Sequence, residues 1–208
     1  MTIQLPDRTF AGYIFDCDGT LAHTMPIHYR AWSRAVAEAG VDFPEDLFYA
    51  WGGRPAVEIV GALNARGGAN MPVEETVTRK ESYFLELLHE VTPIEPVVEI
   101  ARSLHGRAPI AVASGGHREL VHATLTFLGI LDLFQTTVCA EDYTRGKPAP
   151  DPFLEAARRL GVPPADCLVF EDSPTGIMAA EAAGMAHVLI PAPDDQAIPS
   201  FAPDKVPG

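Results

Sequence analysis

The chain has 208 residues, a formal net charge of −13 and 47% hydrophobic residues, enough apolar material for one full-sized domain or one domain with an insertion. Its 28 acidic against 15 basic residues, with no basic run, exclude nucleic acid as a partner, and no apolar run nears the roughly 20 residues that cross a bilayer. The first ten residues lack the basic-then-apolar layout of a secretory signal, and Cys17, Cys139 and Cys167 are scattered without metal-type spacing, so a soluble chain in the reducing cytoplasm is expected.

In chain order, the first short apolar run is 12–15, whose aromatic and β-branched content predicts a buried strand. The stretch 22–91 holds no convincing strand and reads as a helical insertion. Within it, 26–39 predicts a helix with Ile27, Ala31, Trp32, Ala35, Val36 and Ala39 on one face and Gly40 as its stop. Two more helices are expected at 55–65 and 73–89, separated by Gly67-Gly68, with Thr92-Pro93 as the return hinge. A second strand follows at 109–113, then a helix at 119–128 closed by Gly129 and a weaker strand at 137–139. The prolines before 153–160 introduce a helix that Gly161 ends, and strands are predicted at 167–170 and 186–190. From Pro191 onward the chain is proline-rich and aperiodic, which predicts an irregular, partly mobile tail. No internal repeat is visible. Strands alternating with helices predict an α/β fold with a Rossmann-like parallel sheet.

Chemistry concentrates where the strands end. Phe15-Asp16-Cys17-Asp18-Gly19-Thr20-Leu21 sets two carboxylates one residue apart after a buried strand. Two such charges within about 4 Å repel by roughly 4 kcal/mol at an effective dielectric near 20, which a divalent cation would offset. Mg²⁺ is the hard, oxygen-seeking candidate. Alone, Asp-x-Asp-Gly suits a turn equally well. Cys17 is no nucleophile, because the flanking aspartates suppress its thiolate.

Ala113-Ser114-Gly115-Gly116 places a hydroxyl and free N–H groups ahead of a helix, which is an anion site or, taken by itself, a simple N-cap. Gly146-Lys147-Pro148-Ala149-Pro150-Asp151 puts one ammonium beside a rigid turn, where it is either a surface lysine or a neutraliser of phosphoryl charge. In Phe170-Glu171-Asp172-Ser173-Pro174-Thr175-Gly176, capping explains Ser173 but not the adjacent acidic pair, which would complete a metal site. Ligands of open α/β sheets bind beyond the strands' carboxyl ends. The four segments together therefore describe a phosphoryl-transfer site.

These segments, in this order and spacing, resemble the haloacid dehalogenase superfamily of phosphohydrolases over nearly the whole chain. The insertion is similar to the small helical cap of the β-phosphoglucomutase-like branch, a likeness that Thr24, Pro26, His28 and Arg30-Ala31-Trp32 strengthen. The resemblance implies a catalytic core of 1–21 and 92–208 with a cap of 22–91. It implies that Asp16 attacks phosphorus and becomes a phospho-aspartate, while Asp18 protonates the leaving oxygen and then activates the acceptor. Mg²⁺ would be held by Asp16, the backbone carbonyl of Asp18 and Asp172, with Glu171 in support. Ser114 and Lys147 would grip the phosphoryl oxygens. Thr20, His28, Arg54, Lys80 and Gly115 would contact the substrate.

The expected activity is hydrolysis of a small phosphorylated metabolite such as a hexose phosphate, for example fructose 1-phosphate. β-Phosphoglucomutase is the alternative. It is disfavoured because Pro55 stands at the mutase arginine's place and His23 where an aspartate is common. A receiver-like phosphoacceptor domain is a more distant alternative, since its aspartate follows a middle strand and no helical block interrupts it. The expected assembly is a monomer or weak homo-oligomer.

Overall fold

The computed structural model describes residues 3–52 and 54–191. A central parallel sheet is built from β1 (Gly12–Phe15), β4 (Ile110–Ala113), β5 (Thr136–Val138), β6 (Cys167–Glu171) and β7 (Ala186–Leu189), in the spatial order β5-β4-β1-β6-β7. β1 lies in the middle, with Phe15 in register with Val112 on one side and Phe170 on the other. This is the α/β fold that the alternating pattern predicts.

Both faces of the sheet are covered, which is why its strands read as continuous apolar runs rather than alternating ones. Phe15, Ile110, Val112, Leu168 and Phe170 point to one side, against Val97, Val98 and Ala101 of α5 (Glu95–Leu104) and Val121 and Leu125 of α6 (Arg118–Phe127). Ile14, Ala111, Ala113 and Val169 point to the other, against Phe153, Ala156 and Ala157 of α7 (Asp151–Leu160) and Ala179 and Ala180 of α8 (Pro174–Ala182). Phe15 stacks on Phe170 with centroids 4.5 Å apart and planes 4° from parallel, a contact worth about 0.5–1.5 kcal/mol beyond its buried area.

Between β1 and α5 the chain forms β2 (Ala22–His23), α1 (Met25–Ala37), α2 (Glu45–Ala50), α3 (Ala56–Gly67), α4 (Val73–Glu86) and β3 (Thr92–Pro93). Trp32, Val36, Phe43, Phe48, Val60, Leu63 and Val77 make a separate apolar cluster within these helices. A further cluster joins them to the sheet-covering helices: Ile27, Ala31 and Phe84 pack with Leu120 of α6.

Several elements differ from the sequence expectation. The stretch 22–91 does contain a strand, the two-residue β2, which pairs antiparallel with β3 at the expected hinge. α1 stops at Ala37, so Ala39 is exposed instead of sharing the apolar face. α4 ends at Glu86 and tightens into a 3₁₀ turn at Leu88–Glu90. α2 and α5 were not anticipated. The expected irregular tail from Pro191 lies, beyond that residue, outside the described residues, as does Gly53. Among the described residues no helix is long and apolar enough to cross a membrane.

Candidate active site

Three neighbouring strands deliver their following residues to one edge of the sheet. Asp16 leaves β1, Ser114 leaves β4, and Glu171 with Asp172 closes β6. Lys147 reaches the same point from the turn before α7, where its Nζ donates to Asp16 Oδ1 (2.6 Å), Glu171 Oε1 (2.7 Å) and the Ala113 carbonyl (3.2 Å). Its side chain is only 8% exposed, and the two carboxylates hold its ammonium well above the usual lysine range although burial alone would lower it.

Two glycines make the convergence sterically feasible. Gly19 has φ 84°, and a Cβ there would sit 2.2 Å from Asp172 Oδ2. A Cβ at Gly176, in the first turn of α8, would sit 1.8 Å from Glu171 Oε1. Glu171 can therefore fold over the start of α8, where its Oε2 accepts from the Ser173 N–H (2.6 Å) and hydroxyl (2.9 Å). Ser173 is the N-cap, accepting from the Gly176 N–H at 3.0 Å. Thr20 donates to Asp172 Oδ1 at 3.2 Å.

Oxygens of Asp16, Glu171 and Asp172 lie within 4.8 Å of one another. One ammonium faces these three carboxyls, and the imbalance is felt. Burial, followed by the charges of Glu171 and Asp18, pushes the Asp16 carboxyl up to about 7 against the pull of Lys147. Burial and the charges of Glu171 and Asp16 push Asp172 well above the carboxylate range. A hard divalent cation is what an all-oxygen set with this surplus of negative charge accommodates, so the residues present fit one.

The Asp18 side chain stands outside that cluster, leaving only its backbone carbonyl for the metal role foreseen from the sequence. Thr24 Oγ1 donates to Asp18 Oδ1 at 2.7 Å, and His28 Nε2 bonds the same oxygen at 3.2 Å. Burial would raise the Asp18 carboxyl, but His28, the Thr24 hydrogen bond and the Lys80 charge bring it down to about 2. His28 is itself pushed below its ordinary value, first by burial and then by Lys80. At neutral pH the imidazole is therefore a neutral donor, and Asp18 is held ionised by hydrogen bonds and by Lys80. The protein's own surroundings thus push the Asp16 carboxyl towards its neutral form and hold Asp18 ionised.

His28 stacks on Phe84 at 4.3 Å, rather than on Trp32 four residues along. Lys80 is 6% exposed, with its ammonium 5.7 Å from the Trp32 and Phe84 ring centres, and burial brings it down to about 8. Ser114 is not the N-cap of α6; that position belongs to His117. The Ser114 hydroxyl accepts from the Gly116 N–H at 3.0 Å, and Tyr143 donates to the Ser114 carbonyl at 3.1 Å. Gly115 is exposed at this rim. Arg54 is exposed and lies 4.9 Å over Trp51, with no hydrogen bond or ion pair to the other site residues among those described.

Sequence reasoning missed two groups at the rim, Glu81 and Tyr143. Glu81 follows Lys80 directly and accepts from His117 Nδ1 at 2.7 Å. No spacing rule links residues 81 and 117, so this contact had no signal in the chain.

The family profile described as haloacid dehalogenase-like hydrolase matches residues 10–184. The chain is 38% identical over 180 residues to the fructose-1-phosphate phosphatase YqaB of Escherichia coli strain K12, covering 86% of this chain and 95% of that protein. It is 32% identical over 184 residues to the β-phosphoglucomutase of Bacillus subtilis strain 168, covering 84% and 80%. Among solved structures, CbbY from Rhodobacter sphaeroides in complex with phosphate superposes with a TM-score of 0.81 over 88% of this chain and 87% of that one; at 23% identity it speaks for the fold alone.

Proposed function

The chain belongs to the haloacid dehalogenase-like hydrolases, and from that premise we propose that it is a Mg²⁺-dependent phosphatase of small sugar phosphates in which Asp16 is the nucleophile. The observation that carries this reading is the meeting of Asp16, Lys147, Glu171 and Asp172 within hydrogen-bonding and metal-binding reach at the centre of the sheet edge. Residues remote in sequence have no structural need to gather two buried carboxyls and a half-buried one there. Residues 22–91 act in this reading as the cap, and 1–21 with 92–208 as the catalytic core.

Asp16 Oδ attacks phosphorus as the sugar oxygen departs, giving a phospho-aspartate and a sugar hydroxyl. Asp16, Asp172 and the Asp18 backbone carbonyl, with Glu171 in support, would hold Mg²⁺, which would supply the positive charge that keeps Asp16 ionised and admits a dianionic ester. Lys147 and the Ser114 hydroxyl neutralise and orient the phosphoryl oxygens. Asp18, having taken up a proton from solvent as the dianionic ester binds, gives it to the leaving oxygen and, ionised again, takes one from the water that hydrolyses the phospho-aspartate. Its bonds to Thr24 and His28 hold it in the second of these states. Lys80, His28 and Thr20 serve the substrate and its phosphate. The relative named for fructose 1-phosphate makes that ester the first to assay.

The mutase is the second reading, favoured by the Bacillus subtilis relative and by the cap residues His28 and Lys80 beside Asp18. A panel of sugar phosphates assayed for both free phosphate and isomerised product separates the two. Sustained phosphate release with no isomer supports the phosphatase; isomer without net release overturns it.

A further inference from the structure

The N-terminus of α6 follows the Ser114 loop directly, and a helix N-terminus favours an anion. In this chain it is already filled by the protein's own carboxylates. The Arg118 N–H donates to both oxygens of Glu141 (2.9 and 3.2 Å), and the N-cap His117 donates through Nδ1 to Glu81 Oε1 (2.7 Å). A carboxylate only accepts, so the His117 proton is on Nδ1.

This seat adjoins the reacting groups. A Cβ at Gly116 would lie 3.4 Å from Ser114 Oγ and 3.7 Å from Asp18 Oδ2, so the loop that carries His117 runs past the carboxyl assigned to the leaving oxygen. Glu81 sits on α4 next to Lys80, is 22% exposed along its side chain, and its charge acts on both His28 and Lys80. Whatever leaves with the sugar oxygen therefore meets the Lys80 ammonium, the Glu81 carboxylate and the aromatic faces of Trp32 and Phe84.

We propose that Glu81, paired with His117, together with Glu141 closes the α6 N-terminus to a second anionic group and makes the chain selective for monophosphates of uncharged polyols over bisphosphates. Like charge placed against like is how a site rejects a near relative of its substrate. The inference rests on the phosphatase reading and sharpens its substrate class.

The test compares fructose 1-phosphate with fructose 1,6-bisphosphate. Wild type is expected to favour the monophosphate by tenfold or more in kcat/KM, and Glu81→Gln to shrink that preference by about tenfold. His117→Leu leaves the Glu81 carboxylate without its donor and is expected to enlarge the preference, a change of opposite sign. A pair that merely latches α4 onto α6 would alter both substrates equally, and an unchanged ratio in both variants overturns the proposal. The same ratio is measured as binding to Asp16→Asn by calorimetry. Equal affinities there overturn the inference whatever the turnover. Absence of turnover on every ester, with the affinity ratio and its Glu81 dependence intact, overturns the phosphatase reading alone.

Discussion

Replacing Lys80 with methionine should stabilise the protein while impairing it. The side chain is 6% exposed, has no carboxylate in hydrogen-bonding reach among the described residues, and is brought from 10.5 to about 8, chiefly by burial. A shift of that size corresponds to about 3 kcal/mol of folding free energy lost to holding the ammonium charged in the interior. Methionine matches the stem and removes the charge. For a chain of this length the gain is a rise of about 6–12 °C in Tm. The folded amine has the lower pKa, so between about 8 and 10.5 the unfolded chain binds more protons and wild-type stability climbs with pH. The advantage of Lys80→Met is therefore complete below about pH 8, shrinks above it, and is gone near 10.5. Thermal unfolding of both proteins at pH 7 and pH 10 reads this directly, and kcat/KM on fructose 1-phosphate at pH 7 should fall at least tenfold. A variant less stable than wild type at pH 7, or a gain indifferent to pH, refutes the reasoning.

Gly176→Ala drives a Cβ into Glu171 and should cost about 3 kcal/mol by breaking charge-assisted bonds to Lys147 and Ser173, with loss of turnover. Gly61→Ala, a helical site with open space around it, is the control and should gain up to about 1 kcal/mol; denaturant melts of the two variants check the contrast. Excess chelator should abolish phosphate release, and Mg²⁺ should restore it. Mg²⁺ should also raise the Tm of wild type but not of Asp172→Asn; full rates in chelator, or an equal Tm rise in both, would remove the metal from the account.

The sheet was legible because its five strands carry buried β-branched and aromatic runs that end in polar segments, and the order of those segments announces the site. α5 carries helical spacing at Ile94, Val97, Val98 and Ala101, but its start is masked by the hinge at Thr92-Pro93 and by Pro96 in its first turn. α2 spans only six residues, too few to show a period. β2 is two residues long and exists because β3 returns beside it, which no local pattern encodes. At the site, residue types foretold the carboxylates and the lysine, but not how their charges divide. That Asp16 is pushed up and Asp18 pulled down depends on Lys147, Glu171, Lys80 and the Thr24–His28 start of α1 arriving from four separate segments. The contact of Arg54 with Trp51 is likewise a product of the fold that no local pattern encodes.

Trapping the covalent intermediate tests the central claim most directly. An ester carrying radiolabelled phosphorus is mixed with enzyme and Mg²⁺, quenched in acid within the first turnover, and digested. The account predicts label on the peptide that contains Asp16 and none in Asp16→Asn. Label on any other residue, or phosphate release by Asp16→Asn at the wild-type rate, contradicts it.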